Sequence, residues 1–291
     1  HLDVWVPCVT SGRKARGVMR HMCGVGDGFM IRWDSGSETF KYRDLTLVKL
    51  EGDLILVVSC DSSGAIGTKE LDVVKVPGYI VGRFATRVAV MELLSIGVTP
   101  AVVVNNVCIE PEGAYDIVKG ILDELKEADL DHSPALTGST EKNIPTRQTG
   151  LGVTAIGTCR INDIKAGLTL PGDIVYCVGI PKVGDEVNIH DPEIVTLKTV
   201  RTLRYMDEVH EIVPVGSQGI LKEAELLVRL ASVTLELEEL DPNGEGRDLD
   251  LSKTAGPATC VVFSAEPDKD FLARLRSLIP QPVSAIGVCR G

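Results

Sequence analysis

Three stretches of this chain carry residues that could do chemistry together. The first is Cys60-Asp61-Ser62-Ser63-Gly64-Ala65-Ile66-Gly67-Thr68-Lys69-Glu70-Leu71-Asp72, which follows the apolar run Leu54–Ser59. Asp61 stands where a buried-looking strand ends, and ligands collect at strand ends in α/β sheets. The small residues after it leave backbone N–H groups accessible to a phosphate. Lys69 adds a positive charge, and Asp72 adds a second carboxylate. The second stretch holds Glu92. On a helix from Ile80 to Ile96, Val81, Ala85, Val88 and Glu92 share one face, which is otherwise apolar. A carboxylate there needs a metal ion or an ion pair with a structural Arg or Lys, because burying it bare costs several kcal/mol. The third stretch is Thr137-Gly138-Ser139-Thr140-Glu141, with Asn143, Thr146, Arg147 and Gln148 nearby. Small hydroxyls and an acid suit Mg²⁺–phosphate or hydroxyl contacts; an N-cap or a loop turn is the plainer reading.

The elements that must position these residues alternate. Strands are expected at Leu54–Ser59, Val102–Val107, Ala135–Thr137 and Gly152–Gly157. Helices are expected over Ile80–Ile96 and from Gly113 to Ala128, where Ala114, Ile117, Val118, Ile121, Leu122 and Leu125 have helical spacing. The pattern restarts after Leu170-Pro171-Gly172-Asp173 with a strand at Ile174–Gly179. A helix is expected from the Asp191-Pro192 start to about Met206, and another from Gly219. Residues 241–250 read as a polar loop. Thr259–Phe263, Phe271–Leu278 and Ala285–Cys289 read as strand, helix and closing strand. Residues 1–50 read instead as short strands and tight turns, including Glu38–Tyr42 and Leu45–Val48, and suggest a small SH3-like β-barrel. The expected organisation is therefore a barrel over 1–50, an α/β domain over 51–165 and a second α/β domain over 166–291.

Composition narrows the function classes. The 291 residues carry a net charge of −11, which argues against nucleic acid as a partner. Residues 1–49 are the exception, with eight Lys/Arg against five Asp/Glu, which supports a separate module that could dock a protein. No apolar run is long enough for a membrane helix, and no signal peptide is visible. The eight cysteines lack a C-x-x-C pair, so neither a disulfide framework nor a zinc site is expected, and a cytoplasmic location is the default. A Walker A motif, a kinase catalytic loop and a Gly-x-Ser-x-Gly elbow are all absent.

Gly64-Ala65-Ile66-Gly67-Thr68-Lys69, Met91-Glu92-Leu93-Leu94-Ser95-Ile96-Gly97-Val98-Thr99-Pro100 and Gly152-Val153-Thr154-Ala155-Ile156-Gly157 resemble the aminoimidazole ribonucleotide (AIR) synthase superfamily. The resemblance covers about residues 51–291. It implies an N-terminal ATP-binding α/β half, a C-terminal α/β half, use of ATP and Mg²⁺, and a homodimer. It places Mg²⁺ on Asp61, Asp72, Glu92 and Glu141. It places phosphate contacts on Ser62, Ser63, Gly64, Gly67, Lys69, Gly138, Ser139 and Thr140, with Asp61 and Lys69 catalytic. Ser139 stands where the family has an acid, and the acid before the Gly216–Gly219 turn is absent.

Asp61-Ser62-Ser63-Gly64 and Thr137-Gly138-Ser139-Thr140-Glu141 look most like the α-ribazole kinase branch. That likeness implies a small-molecule kinase that phosphorylates the ribose 5′-hydroxyl of α-ribazole in cobamide assembly. Two other readings stay open: another ATP-activating synthase or dehydratase of the superfamily, and a nucleotide-sensing or partner-binding protein without catalysis.

Overall fold

In the computed structural model, which describes residues 38–130, 134–238 and 249–291, the chain opens on a hairpin. Strands β1 (Thr39–Tyr42) and β2 (Leu45–Lys49) turn on Arg43 and Asp44. Arg43 has φ 52°, the left-handed backbone that a two-residue hairpin turn demands. β3 (Leu54–Gly64) follows, then the short pair β4 (Ile66–Gly67) and β5 (Val74–Lys75), α1 (Gly78–Ser95) and β6 (Pro100–Val107). α2 (Pro111–Glu127), β7 (Ala135–Thr140) and β8 (Gly150–Arg160) complete the first half. The first sheet runs β1-β2-β3-β8-β6-β7, antiparallel except for the β6–β7 pair.

The second half holds β9 (Ile174–Gly179), α3 (Leu197–Arg204), β10 (Val209–Pro214) and α4 (Ile220–Leu230). It ends with β11 (Thr234–Leu237), β12 (Cys260–Ala265), α5 (Phe271–Leu278) and β13 (Val283–Arg290). Its sheet is fully antiparallel, in the order β10-β12-β9-β13-β11. The α/β class is as expected.

α1 is buried on nearly every side, between the first sheet, α2 and the second half. It ends where the Val98 and Gly97 N–H groups bond the Leu93 and Leu94 carbonyls, with Gly97 at φ 86°. α1 and α2 cross closely because two glycines face each other's backbones. A Cβ on Gly120 would stand 2.1 Å from the Tyr79 carbonyl oxygen, and one on Gly82 2.0 Å from that of Ile117. Gly120→Ala must therefore push the helices apart. We expect it to cost about 1–3 kcal/mol, seen as a lower urea midpoint.

A single apolar core runs through both halves, from Tyr42 and Ile55 through α1 to Phe263 and Phe271. Tyr176, Phe263 and Phe271 meet there with centroids 5.2–6.2 Å apart. A second cluster lies under α4, where Cys177, Cys260 and Cys289 act as small apolar residues.

Several expectations need correction. β1 and β2 belong to the first sheet, because Thr46–Lys49 pair with Ile55–Val58. The rest of the expected barrel falls in residues 1–37, outside the described residues, as does most of the 241–250 loop. Asp191-Pro192 does not start a helix. Asp191 accepts the Glu193 amide and the Lys182 ammonium, and α3 begins later, capped by Thr196. β10 and β11 were not expected. β10 mixes His210, Glu211 and Pro214 into its apolar run, and β11 is short and largely exposed, so neither shows a clear period.

Candidate active site

The strand expected to end at Ser59 continues to Gly64. Asp61-Ser62-Ser63-Gly64 pairs with Gly150–Val153, Asp61 opposite Val153 and Gly64 opposite Gly150. Pairing along the long strand β8 overrides the turn preference of these residues; the chain turns only at Ala65, φ 59°. The alternation of β3 then decides where Asp61 points. Ile55, Val57 and Ser59 face the core, so Asp61 and Ser63 continue that same face. Beyond Ser59, whose hydroxyl donates to the Ala89 carbonyl of α1, the space between sheet and helix opens into a cavity.

That cavity, about 880 Å³, lies between the two halves. One wall is apolar, with Ile66, Val74, Ile80, Val81, Phe84 and Val88. The other end is acidic, with Asp44, Asp61, Glu92 and Glu223. Arg43 stands among these acids, and the Val213–Gln218 turn and α4, with Lys222 and Arg229, close the far side.

The acids differ in how they are met. Glu92 pairs with Arg43, Oε2 to Nη2 at 2.6 Å, so of its two readings the structure shows the ion pair. Burial still lifts its pKa above the usual carboxylate range; Arg43 opposes this and Asp44 adds to it. Glu223 is likewise raised by burial, against Arg43 and with Glu92 and Asp44. Asp61 has no cationic partner among the described residues. Burial pushes it up to about 6, the Ser62 amide pulls the other way, and Asp44 adds repulsion.

The sign for stability follows from that shift. Folded Asp61 binds its proton more tightly than the unfolded chain, whose Asp titrates near 3.9. Its contribution is full below about pH 4 and is lost as pH rises through about 6. We therefore expect the urea midpoint of the wild-type chain to fall, relative to Asp61→Asn, between those values. Parallel pH curves for the two proteins would contradict this.

The remaining expected residues lie elsewhere. Asp72 is a buried loop staple that accepts from the Lys69 amide (2.7 Å), the Thr149 amide (2.7 Å) and the Thr149 hydroxyl (2.7 Å). Burial works to raise its pKa, but these donors outweigh it and hold it low. Gly67 packs against the same Thr149–Asp72 contact. The Lys69 ammonium pairs with Glu110, which also accepts from the Thr146 amide and hydroxyl at 2.9 Å. That pairing, with the Thr146 bonds, holds Glu110 down at about 2.

Thr137–Thr140 is the body of the edge strand β7, paired in parallel with Val104–Val107, and not a turn. With Glu141 it lines a separate polar pocket. Glu141 there accepts the Asn143 and Ile144 amides, which lower its pKa. The four carboxylates expected as one metal set are thus divided among three places. Among the described residues, no three His, Cys, Asp or Glu converge as a closed metal cage.

Arg43, Asp44 and Glu223 were missed by sequence reasoning. The available signal was Tyr42-Arg43-Asp44-Leu45 between two short strands, a two-residue hairpin that delivers charges to one point.

Residues 42–159 match the family described as AIR synthase related protein, N-terminal domain, and the match begins at the hairpin. The structure matches thiamine-monophosphate kinase from Stenotrophomonas maltophilia K279a at TM-score 0.57 and 16% identity, covering 88% of this chain and 90% of that one. The fold is AIR synthase-like. The same likeness extends to AaThiL complexed with AMPPCP and TMP (TM-score 0.58, 13% identity, 85% and 84% covered). It extends also to the hydrogenase maturation protein HypE in complex with ATP (0.58, 16%, 84% and 78%). No curated protein sequence matches the chain. In the AIR synthase-like frame, the cavity lies between the matched N-terminal segment and the second half, and no helix among the described residues is long and apolar enough to cross a membrane.

Proposed function

We propose that this chain is an ATP- and Mg²⁺-dependent small-molecule kinase that uses the cavity between its halves. The observation that carries this reading is Asp61: a half-buried carboxylate, aimed into a large cavity, with no cation to meet it among the described residues. An acidic cavity repels polyphosphate unless a divalent cation stands between them. Mg²⁺ is commonly held by one or two carboxylates, with water and substrate phosphate completing its shell. Asp61 and Asp44 are the residues that would hold it. Bound there, it would neutralise phosphate charge during transfer.

The rest of the cavity suits a nucleotide and a small acceptor. The apolar wall of Ile66, Val74, Val81 and Phe84 offers contact for a flat base. Ser62, Ser63 and Gly64 bring small residues to the acidic end. Lys222 and Arg229 supply positive charge from α4. Two proteins of this fold carry AMPPCP with TMP, or ATP, which supports a nucleotide here. We take the 5′-hydroxyl of α-ribazole as the preferred acceptor, on the Asp61–Gly64 and Thr137–Glu141 likeness. Lys69, Gly67 and the Gly138–Thr140 backbone would contact phosphate only if the loop from Ala65 to Asp72 and the edge strand close on bound nucleotide.

Among the described residues no helix covers the outer face of the first sheet, and Leu56, Val58, Val102, Val104 and Ile156 on it are only half-buried. Such a face suits a second copy of the chain, as a homodimer.

The deciding experiment is a screen of purified protein with Mg-ATP against a nucleoside panel that includes α-ribazole. A stable phosphorylated nucleoside supports the kinase. Free phosphate with ring closure or dehydration would move the assignment to another ATP-activating enzyme. Binding of ATP without turnover would leave only a sensor.

A further inference from the structure

Arg43 is placed unlike the other cations of the cleft. Lys222 lies on the surface and pairs with Glu225 on its own helix. The Arg43 side chain is 3% exposed, and its guanidinium joins its own hairpin to two further elements. Nη2 donates to Glu92 Oε2 at 2.6 Å and to Ser95 Oγ at 2.9 Å, both on α1. Nη1 donates to the Ile212 carbonyl at 2.9 Å, on β10 in the second half. The neighbouring Tyr42 hydroxyl donates to the buried Glu211 carboxylate, also on β10. The turn that carries Arg43 is therefore fixed on both sides of the cleft, and its next residue, Asp44, lines the cavity.

A buried carboxylate must be met by hydrogen-bond donors or by a cation. At Glu92 that cation is part of the chain. A guanidinium differs from a metal ion in one useful respect: it has directional donors left over after the carboxylate is satisfied. Arg43 directs them to the Ser95 hydroxyl on α1 and to the Ile212 carbonyl of the opposite half, so all three acceptors around Glu92 are already met by the chain itself.

We propose that Arg43 is the resident cation of this cleft, a positioning residue that takes the place of a metal ion at Glu92. It closes Glu92 to metal, ties α1 to β10, and leaves Asp61 with Asp44 as the carboxylates open to a divalent ion. The proposal rests on the reading of Asp61 as a metal-binding residue, and its test separates the two.

The test is Mn²⁺ binding to nucleotide-free full-length protein, followed by the electron paramagnetic resonance signal of free Mn²⁺. Glu92→Gln can still accept from Arg43 and is expected to bind Mn²⁺ as the wild type does. Loss of the ion, or weakening by more than about tenfold, makes Glu92 a ligand and overturns the proposal. Asp61→Asn is expected to lose Mn²⁺. Arg43→Met/Asp61→Asn is expected to regain an ion at the freed Glu92, and adding Glu92→Gln should remove it again. A folded Arg43→Met/Asp61→Asn protein that binds no more Mn²⁺ than Asp61→Asn also overturns the proposal. If that protein does not fold, the Glu92→Gln measurement decides. A wild type without Mn²⁺ would sink the Asp61 reading alone, and the regained site would still decide on Arg43.

Discussion

Asp61→Asn is expected to remove Mg-ATP turnover while making the folded protein more stable. The two effects share one cause. Asp61 is a half-buried carboxylate with no cation beside it among the described residues, and its pKa is pushed up to about 6 by burial. At pH 7 the chain therefore holds a charge in a place that disfavours it. A shift of that size corresponds to about 2–3 kcal/mol at neutral pH. Asparagine has nearly the same shape and can still accept the Ser62 amide, but it carries no charge to hold a divalent ion. Loss of one preorganised electrostatic contact at a reacting centre lowers rates by at least about 10²- to 10³-fold. A coupled assay for ADP and a thermal melt on the same sample test both halves. Turnover like that of the wild type would end the assignment of Asp61. A fall in melting temperature would show that Asp61 has a cation partner in the working protein.

The legibility of this site in the sequence followed the range of the interactions that build it. α1 and α2 were readable because fourteen of the residues of α1 are buried and α2 has a clean apolar stripe, both of them local patterns. β9 and α5 were readable for the same reason. The polar ends of β3 and β7 were not, because Asp, Ser, Gly and Thr prefer turns when considered alone. What makes them strands is a partner strand some ninety residues on for β3, and some thirty residues back for β7. Asp61 and Glu92 were found because a carboxylate beside apolar neighbours stands out in one dimension. Arg43 was not, since its contact with Glu92 spans 49 residues and its segment reads as part of a separate barrel. Asp72 looked like a ligand because its three donors come from Lys69 and Thr149, and only the fold brings Thr149 to it.

The largest stability effect is expected away from the cavity, at Glu124. This α2 residue is 2% exposed and faces two arginines one turn apart on α1. Arg87 donates from Nε to Oε1 at 2.7 Å and from Nη2 to Oε2 at 3.0 Å; Arg83 donates from Nε to Oε2 at 2.6 Å. Arg87 also reaches the Val195 carbonyl at 3.3 Å, so the cluster ties the first half to the second. Glu124→Leu removes the buried anion of this cluster and leaves both guanidiniums in place. Arg83 keeps Glu127 and the Tyr79 hydroxyl at the protein edge. Among the described residues, Arg87 keeps the Val195 carbonyl and the face of Phe84. Breaking a buried pair in this way costs about 3–5 kcal/mol, a large share of the roughly 5–15 kcal/mol that holds a typical domain together. Urea unfolding of Glu124→Leu, Arg87→Met and the double variant measures it. The double variant should be more stable than Glu124→Leu, because the stranded charge of Arg87 is gone. A loss below about 1 kcal/mol in Glu124→Leu would mean that water reaches the cluster. α1 would then be held against the second half by its apolar contacts, the Arg43 bridge and the Arg204 bond to the Ser95 carbonyl.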